Sequence, residues 1–145
     1  MHDLHDPWQA VFESLIALRD AWPGPVSGWG YDRRLKCVMA SFSTPATGAA
    51  EAAIAHAMPG VFGAESLADA PASARATAET CGGLRASQRL YWGAAPVAPG
   101  GGAFGLWWPW ADGATVSLRI GLHDMDVPKE RLPRLRDVFG IPQAG

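Results

Sequence analysis

Histidine and aspartate, two residue types that often bind metal ions, occur together in two short runs of this chain. The first run spans residues 2–6 (HDLHD) and the second spans residues 123–126 (HDMD). Two side chains of one run could reach the same ion. A stable site, however, needs three or four convergent ligands and supporting hydrogen bonds, and Asp6 and Asp126 are expected to cap helices instead. We therefore predict no metal or cofactor, and keep a metal-dependent function as a third hypothesis.

A second set of polar residues could bind or transform a small molecule. His123 and Asp124 directly follow a predicted strand, where functional loops often lie, and a histidine can change its charge near neutral pH. Arg89 and Tyr91 alternate along another predicted strand, and Arg119 lies on a third. If neighbouring strands pair, these residues would line one polar sheet face and bind an anion or carboxylate. The alternative hypothesis is therefore an enzyme or carrier with an aromatic-walled pocket.

The two cysteines, Cys37 and Cys81, are too few for a disulfide framework or a structural zinc site. They predict reduced thiols in a cytoplasmic protein. Cys37 could act as a nucleophile with His56 as its base, but a cysteine on a buried strand is typically a small hydrophobic residue. Signatures of nucleotide binding and of common hydrolase sites are absent from the sequence. No catalytic residue is therefore assigned.

The most informative segment is a tryptophan-rich run at residues 104–122, which predicts a β-hairpin. Asp112-Gly113 is a strong turn signal. Strand alternation places Trp108 and Trp110 on one face and Trp107 on the other. A proline at position 109 predicts a local edge or bulge. Indole rings combine a large apolar area with a polar N–H and are enriched at binding interfaces. The alternative is that two of the three rings are core and the third packs under the loop at residues 93–102.

The remaining pattern predicts the elements that position these residues. A helix is expected over residues 7–22, strands over 26–31 and 35–42, an alanine-rich helix over 44–58, a short helix over 72–80, a strand over 84–92, the hairpin strands over 104–110 and 115–122, and a last helix after residue 126. We predict an α+β fold with a mostly antiparallel five-stranded sheet and three to four helices packed on one face. Residues 1–145 are expected to form one domain.

Composition excludes several classes of partner. The formal net charge of −2 predicts no general attraction to nucleic acid or to an anionic membrane. The apolar runs are too short to span a bilayer, and the first residues lack the pattern of a signal peptide.

The leading hypothesis is a small, non-catalytic protein-binding module in the cytoplasm, of an adaptor, chaperone-like or immunity-like kind. The order of elements is loosely similar to that of small acidic secretion chaperones and of some toxin-neutralising immunity proteins, which act by binding another protein. We expect a protein partner at the tryptophan-rich sheet edge. A small molecule, or a second copy of the chain bound along an exposed sheet edge in a homodimer, is the alternative partner.

Overall fold

An antiparallel sheet organises the chain and carries every strand that the sequence pattern predicts. The computed structural model describes residues 7–23, 28–55, 57–93, 102–123 and 131–141. Within them the elements are α1 (Pro7–Ala21), β1 (Gly30–Asp32), β2 (Cys37–Ser43), α2 (Thr47–Ala55), β3 (Gly60–Gly63), α3 (Ala72–Thr80), β4 (Arg89–Trp92), β5 (Gly102–Pro109), β6 (Thr115–His123) and α4 (Arg131–Val138). The strand order is β1-β2-β6-β5-β4-β3. The predicted α+β class is confirmed.

The sheet has six strands among the described residues rather than the five expected. The additional strand is β3, which is short, has a glycine at each end and leaves Val61 half exposed. Such a strand is too short to show a clear alternation of polar and apolar residues, so the sequence pattern does not predict it. The strand expected over residues 84–92 begins only at Arg89, because the segment before it forms a turn. In that turn the Gln88 N–H donates to the Arg85 carbonyl, and the Gln88 side chain accepts from the Arg85 N–H.

The two faces of the sheet carry separate hydrophobic clusters, because successive strand residues point to opposite sides. Face A is the side that carries Val38, Ala40, Trp107, Leu118 and Ile120, and it packs against α1, α2 and α4. Face B carries Leu90, Trp92, Phe104 and Leu106, which pack with Ala74 and Ala78 of α3. None of the helices in the described part of the chain is long and apolar enough to cross a membrane.

Helix α3 is the exception to the expectation that all helices share one face. Its buried residues are alanines, whose small side chains give a weak signal of which way a helix packs. Four large apolar residues on face B require a cover, and α3 supplies it because alanines permit a close approach to the sheet.

The β5–β6 hairpin forms as predicted. Gly113 adopts a positive φ of 70°, and the Asp112 carboxylate accepts hydrogen bonds from the N–H groups of Ala114 and Thr115. The turn lies in a loop of residues 111–114, closed by a hydrogen bond from the Trp110 N–H to the Thr115 carbonyl at 2.8 Å.

Strand β5 lies inside the sheet, yet its last residues form a local edge. Strand β4 pairs with β5 only as far as Trp107, whereas β6 continues to pair up to Pro109. Because Trp110 bonds to β6, antiparallel alternation turns the Pro109 nitrogen toward the β4 side, where the ladder has ended. The missing N–H of this proline therefore removes no hydrogen bond from the sheet. The expected edge is confirmed at Pro109, while Trp107 is paired on both sides.

Gly121 should be intolerant of a side chain. A Cβ there would lie 2.6 Å from the Phe104 ring and 2.9 Å from the Cys37 sulfur. We expect Gly121→Ala to lower the free energy of unfolding by about 1–3 kcal/mol through overpacking. Gly48 of α2 has open space around it, so Gly48→Ala should instead stabilise the protein by about 0.4–1 kcal/mol. Urea unfolding measures both changes, and a loss of equal size in both variants would contradict this packing.

Candidate functional site

The residues proposed from sequence for a site are distributed over three places. Arg89, Tyr91 and Trp107 lie on face A, since Arg89 is paired with Trp107 across β4 and β5. Trp108, Trp110 and Arg119 lie on face B. The buried residue His123 also belongs to face B, but it lies in the half of that face that α3 covers. Asp124 lies outside the described residues.

The polar convergence expected of Arg89, Arg119 and His123 is not formed. Arg119 is paired with Leu106, which belongs to the face B cluster, whereas Arg89 is paired with Trp107 of the face A cluster. Alternation within one strand is visible in a sequence. Whether residues of two distant strands point to the same face depends on the register of the strands between them, which the sequence pattern does not specify.

On face A, Arg89 belongs to a small hydrogen-bonded group. Its Nη1 donates to Glu51 Oε2 of α2 at 2.6 Å and to the Tyr91 hydroxyl at 3.3 Å, and that hydroxyl donates to Glu51 Oε2 at 3.3 Å. Burial raises the pKa of the Tyr91 hydroxyl, which keeps it protonated as a donor. Glu51 is not among the site residues predicted from sequence, because nothing in the alanine-rich pattern of α2 distinguishes this glutamate from a solvent-exposed one.

Trp107 is a core residue rather than an exposed one. It is 4% exposed and meets the rings of Phe42 and Tyr91 edge-on at centroid distances of 5.2 and 5.8 Å. The Arg89 guanidinium lies 5.6 Å from its ring centroid. Aromatic pairs in this geometry add to the stability gained from area burial alone.

A cleft lies beside this group at the edge of face A. Its volume is about 650 Å³, within the range of ligand-binding sites. Residues of β3, of β4, of the end of β5 and of the turns after β3 and before β4 line it. They include Val61, Glu65, Ser66, Gln88, Arg89, Trp107 and Pro109.

Face B is only partly covered by α3. The rest of this face, here named the open half of face B, consists of Met39, Ser41, Trp108, Trp110, Ser117 and Arg119. Ser41 and Trp110 are exposed, Ser117 is buried and the other three are partly buried. Trp110 is 50% exposed. Its indole N–H donates to the Ser117 hydroxyl at 2.6 Å, and that hydroxyl lies 3.2 Å from the Ser41 hydroxyl. The exposed ring is therefore held in one orientation.

Arg119 links Trp108 to the first strand. Its guanidinium lies 4.3 Å from the Trp108 ring centroid, a cation–π contact, and its Nε is 3.1 Å from Asp32 Oδ2. The Trp108 indole N–H is buried and has no hydrogen-bond partner among the described residues. An unsatisfied buried donor costs about 1–3 kcal/mol, and a phenylalanine would avoid it. Packing alone therefore does not account for an indole at this position.

His123 is enclosed rather than available to a ligand. It is 4% exposed, and its ring stacks on Trp92 at a centroid distance of 3.6 Å. Its Nε2 lies 2.7 Å from the Gly93 carbonyl oxygen. A carbonyl can only accept, so Nε2 carries the proton of this bond. The histidine thus joins β6 to the end of β4, away from the cleft on face A.

The other residues proposed from sequence as a nucleophile, a base or metal ligands do not form a site within the described residues. Cys37 is fully buried, and burial raises the pKa of its thiol, which disfavours the nucleophilic thiolate. His56, the histidine and aspartate run at residues 2–6, and Asp126 lie outside the described residues. No group of three metal-binding side chains converges in the described part of the chain.

Comparisons of this chain with protein-family models, with curated proteins and with solved structures find no match. Functional inference therefore depends on the geometry of the cleft and of the open half of face B.

The two neighbouring tryptophans on opposite faces should respond differently to truncation. Trp107→Ala removes a buried ring, and we expect it to cost about 3–5 kcal/mol of unfolding free energy. Trp110→Ala removes one hydrogen bond and a half-exposed ring, so its cost should be nearer about 1 kcal/mol. Denaturant unfolding followed by circular dichroism measures both. Similar large losses in the two variants would show that Trp110 is part of the core.

The Arg119–Asp32 ion pair should contribute to stability only above acidic pH. Burial alone would raise the pKa of the Asp32 carboxyl, but the hydrogen bonds from Arg119 and from the Leu35 and Arg34 N–H groups lower it below its ordinary value of 3.8. A carboxyl whose pKa is lowered by folding stabilises the protein above that ordinary value, and this contribution is lost as the pH falls through the lowered pKa.

Asp32→Asn keeps an oxygen for the backbone N–H groups and removes the charge. We expect the stability difference between wild type and Asp32→Asn to be largest near neutral pH and to shrink below about pH 4. Urea unfolding at a series of pH values measures it. A difference that is constant with pH would show that the ion pair does not contribute.

Proposed function

We propose that this protein is a non-catalytic module that recognises a protein partner through the open half of face B, with Trp110 as the central contact. The observation that carries the proposal is a half-exposed indole ring whose orientation is held by a 2.6 Å hydrogen bond to Ser117. A ring fixed before binding loses little conformational freedom when a partner packs against it.

The exposure of Trp110 is unusual within this chain. Trp22, Trp29, Trp92 and Trp107 are each at most 8% exposed, so the fold has the capacity to bury indoles. Leaving one ring in water forgoes about 25 cal/mol per Å² of apolar surface. A partner that covers the ring would recover this free energy, which is why tryptophans so often dominate binding interfaces.

The surroundings of Trp110 favour a partner that offers both an apolar side chain and polar backbone groups. Ser41 is exposed, and serine hydroxyls can donate to or accept from a peptide backbone. Arg119 already pairs with Asp32, so its charge at the margin of the surface is compensated. Such a surface, apolar at the centre and polar at the rim, is typical of interfaces between proteins.

Two further features belong to the same proposal. Both cysteines are free thiols, which suits a reducing compartment, and we place the module in the cytoplasm. A small-molecule function built on His123 and Arg119 has less support, because His123 is enclosed and both residues lie on the face opposite the cleft.

Partner capture should depend on Trp110. In an affinity pull-down from the source cells, we expect a protein retained by the wild type to be lost with Trp110→Ala. When that protein is purified, titration calorimetry should show a dissociation constant weakened by roughly thirtyfold or more, as for a binding hot spot.

Ile16→Ser is the matched control, because Ile16 is an exposed apolar residue of α1 remote from face B. Sedimentation equilibrium of the purified chain identifies the case in which the partner is a second copy of the protein. Binding that is unchanged in Trp110→Ala, or lost equally in Ile16→Ser, would overturn the proposal.

A further inference from the structure

The cleft on face A brings a cation with unused donors to its wall. Arg89 lines the cleft and uses Nη1 to bond Glu51 and Tyr91. Its Nε and Nη2 groups have no hydrogen-bond partner among the described residues. These two nitrogens form the edge of a guanidinium that matches a carboxylate with two parallel hydrogen bonds. Glu51 and Tyr91 hold the other side of the group, which orients that edge.

The wall of the cleft also contains an unpaired carboxylate. Glu65 lines the cleft and makes no hydrogen bond or ion pair among the described residues. Its Oε1 lies 3.2 Å from the point where a Cβ of Gly63 would stand. Gly63 is the cross-strand partner of Arg89, and Cβ positions of such partners are about 4.5–5.5 Å apart on one face. The absence of a side chain at Gly63 therefore lets the Glu65 carboxylate lie over Gly63, the position that is paired with Arg89 in the sheet.

Arg89 and Glu65 both keep hydrogen-bonding groups that no described residue uses. An anionic ligand would be repelled by Glu65. A simple cation could pair with Glu65 but would leave Nε and Nη2 of Arg89 without a partner. A ligand that carries both an ammonium and a carboxylate satisfies both groups and stays neutral overall. The rest of the wall is partly apolar and includes the half-exposed Val61.

We propose that this cleft binds a small zwitterion of the α-amino-acid type with an apolar side chain. Arg89 binds the carboxylate through Nε and Nη2, Glu65 binds the ammonium group, and the ligand's side chain lies against Val61. This site is on the face opposite Trp110, so it is independent of the protein-binding surface.

The proposal is tested with L-leucine and its two blocked forms. We expect L-leucine to shift the backbone amide signals of Ser66, Ser87 and Gln88 in ¹H–¹⁵N spectra in a saturable way. L-Leucinamide keeps only the ammonium group, and N-acetyl-L-leucine keeps only the carboxylate. Each should bind at least about tenfold more weakly, the equivalent of about 1.4 kcal/mol.

Matched variants test separately the two charged side chains, Arg89 and Glu65. Arg89→Gln and Glu65→Gln should each weaken L-leucine binding at least about tenfold. Arg75→Gln and Glu79→Gln change exposed residues of α3 on the other side of the sheet and should leave binding unchanged. Gly63→Ala keeps every charge but places a methyl group 3.2 Å from the Glu65 carboxylate, so it should also weaken binding. Well-dispersed spectra establish that each variant is folded.

Three results would overturn the proposal: no shift at millimolar L-leucine, equal binding of either blocked form, or full binding by Arg89→Gln. Trp110→Ala should bind L-leucine like the wild type. A failure here therefore does not bear on partner capture through face B, and a failure of partner capture does not bear on this site.

Discussion

The pairing of β5 with β6 is the constraint on which the rest of this structure depends. Because side chains alternate along a strand, this one register commits Trp107 to the core of face A and sends Trp108 and Trp110 to face B. A slip of β5 by one residue would exchange these roles and would send Trp107 to face B. The identity of both candidate surfaces therefore follows from the same hydrogen-bonded ladder, with Pro109 and the Asp112–Gly113 turn marking its end.

The unequal cover of the two faces explains why one indole is exposed. Three helices pack on face A, and their residues Phe12, Leu15, Ile54 and Leu135 are almost completely buried. Face B has only α3 within the described residues, and its alanines cover the half that holds Phe104 and Trp92. The other half is left with serines, an ion-paired arginine and Trp110. A sheet covered on one side and partly open on the other commonly uses the open side to bind.

Each candidate surface also contains an arginine held by a carboxylate from another element. Arg89 is oriented by Glu51 of α2, and Arg119 by Asp32 of β1. The Arg89–Glu51 pair is exposed to water and adds little stability, so its main effect is to fix the guanidinium beside Trp107. The Arg119–Asp32 pair is mostly buried, so it contributes to stability and also fixes the guanidinium beside Trp108. The protein therefore has an ordered polar group next to a tryptophan on both sides of one sheet. Of these two tryptophan-bearing surfaces, as far as the described residues show, face B is the one with an exposed ring, that of Trp110.

Local sequence was sufficient for the features that depend on neighbouring residues. Helix α3 has the predicted bounds, the Asp112–Gly113 turn forms, and the three tryptophans divide between the faces as alternation requires, because each is decided within a few residues. Tertiary structure alone decided the rest. Strand β3 forms because β4 pairs with it. The register of distant strands places Arg89 and Arg119 on opposite faces, and Glu51 bonds to Arg89 from another element. These contacts join residues far apart in the chain, so no local pattern of residue types encodes them.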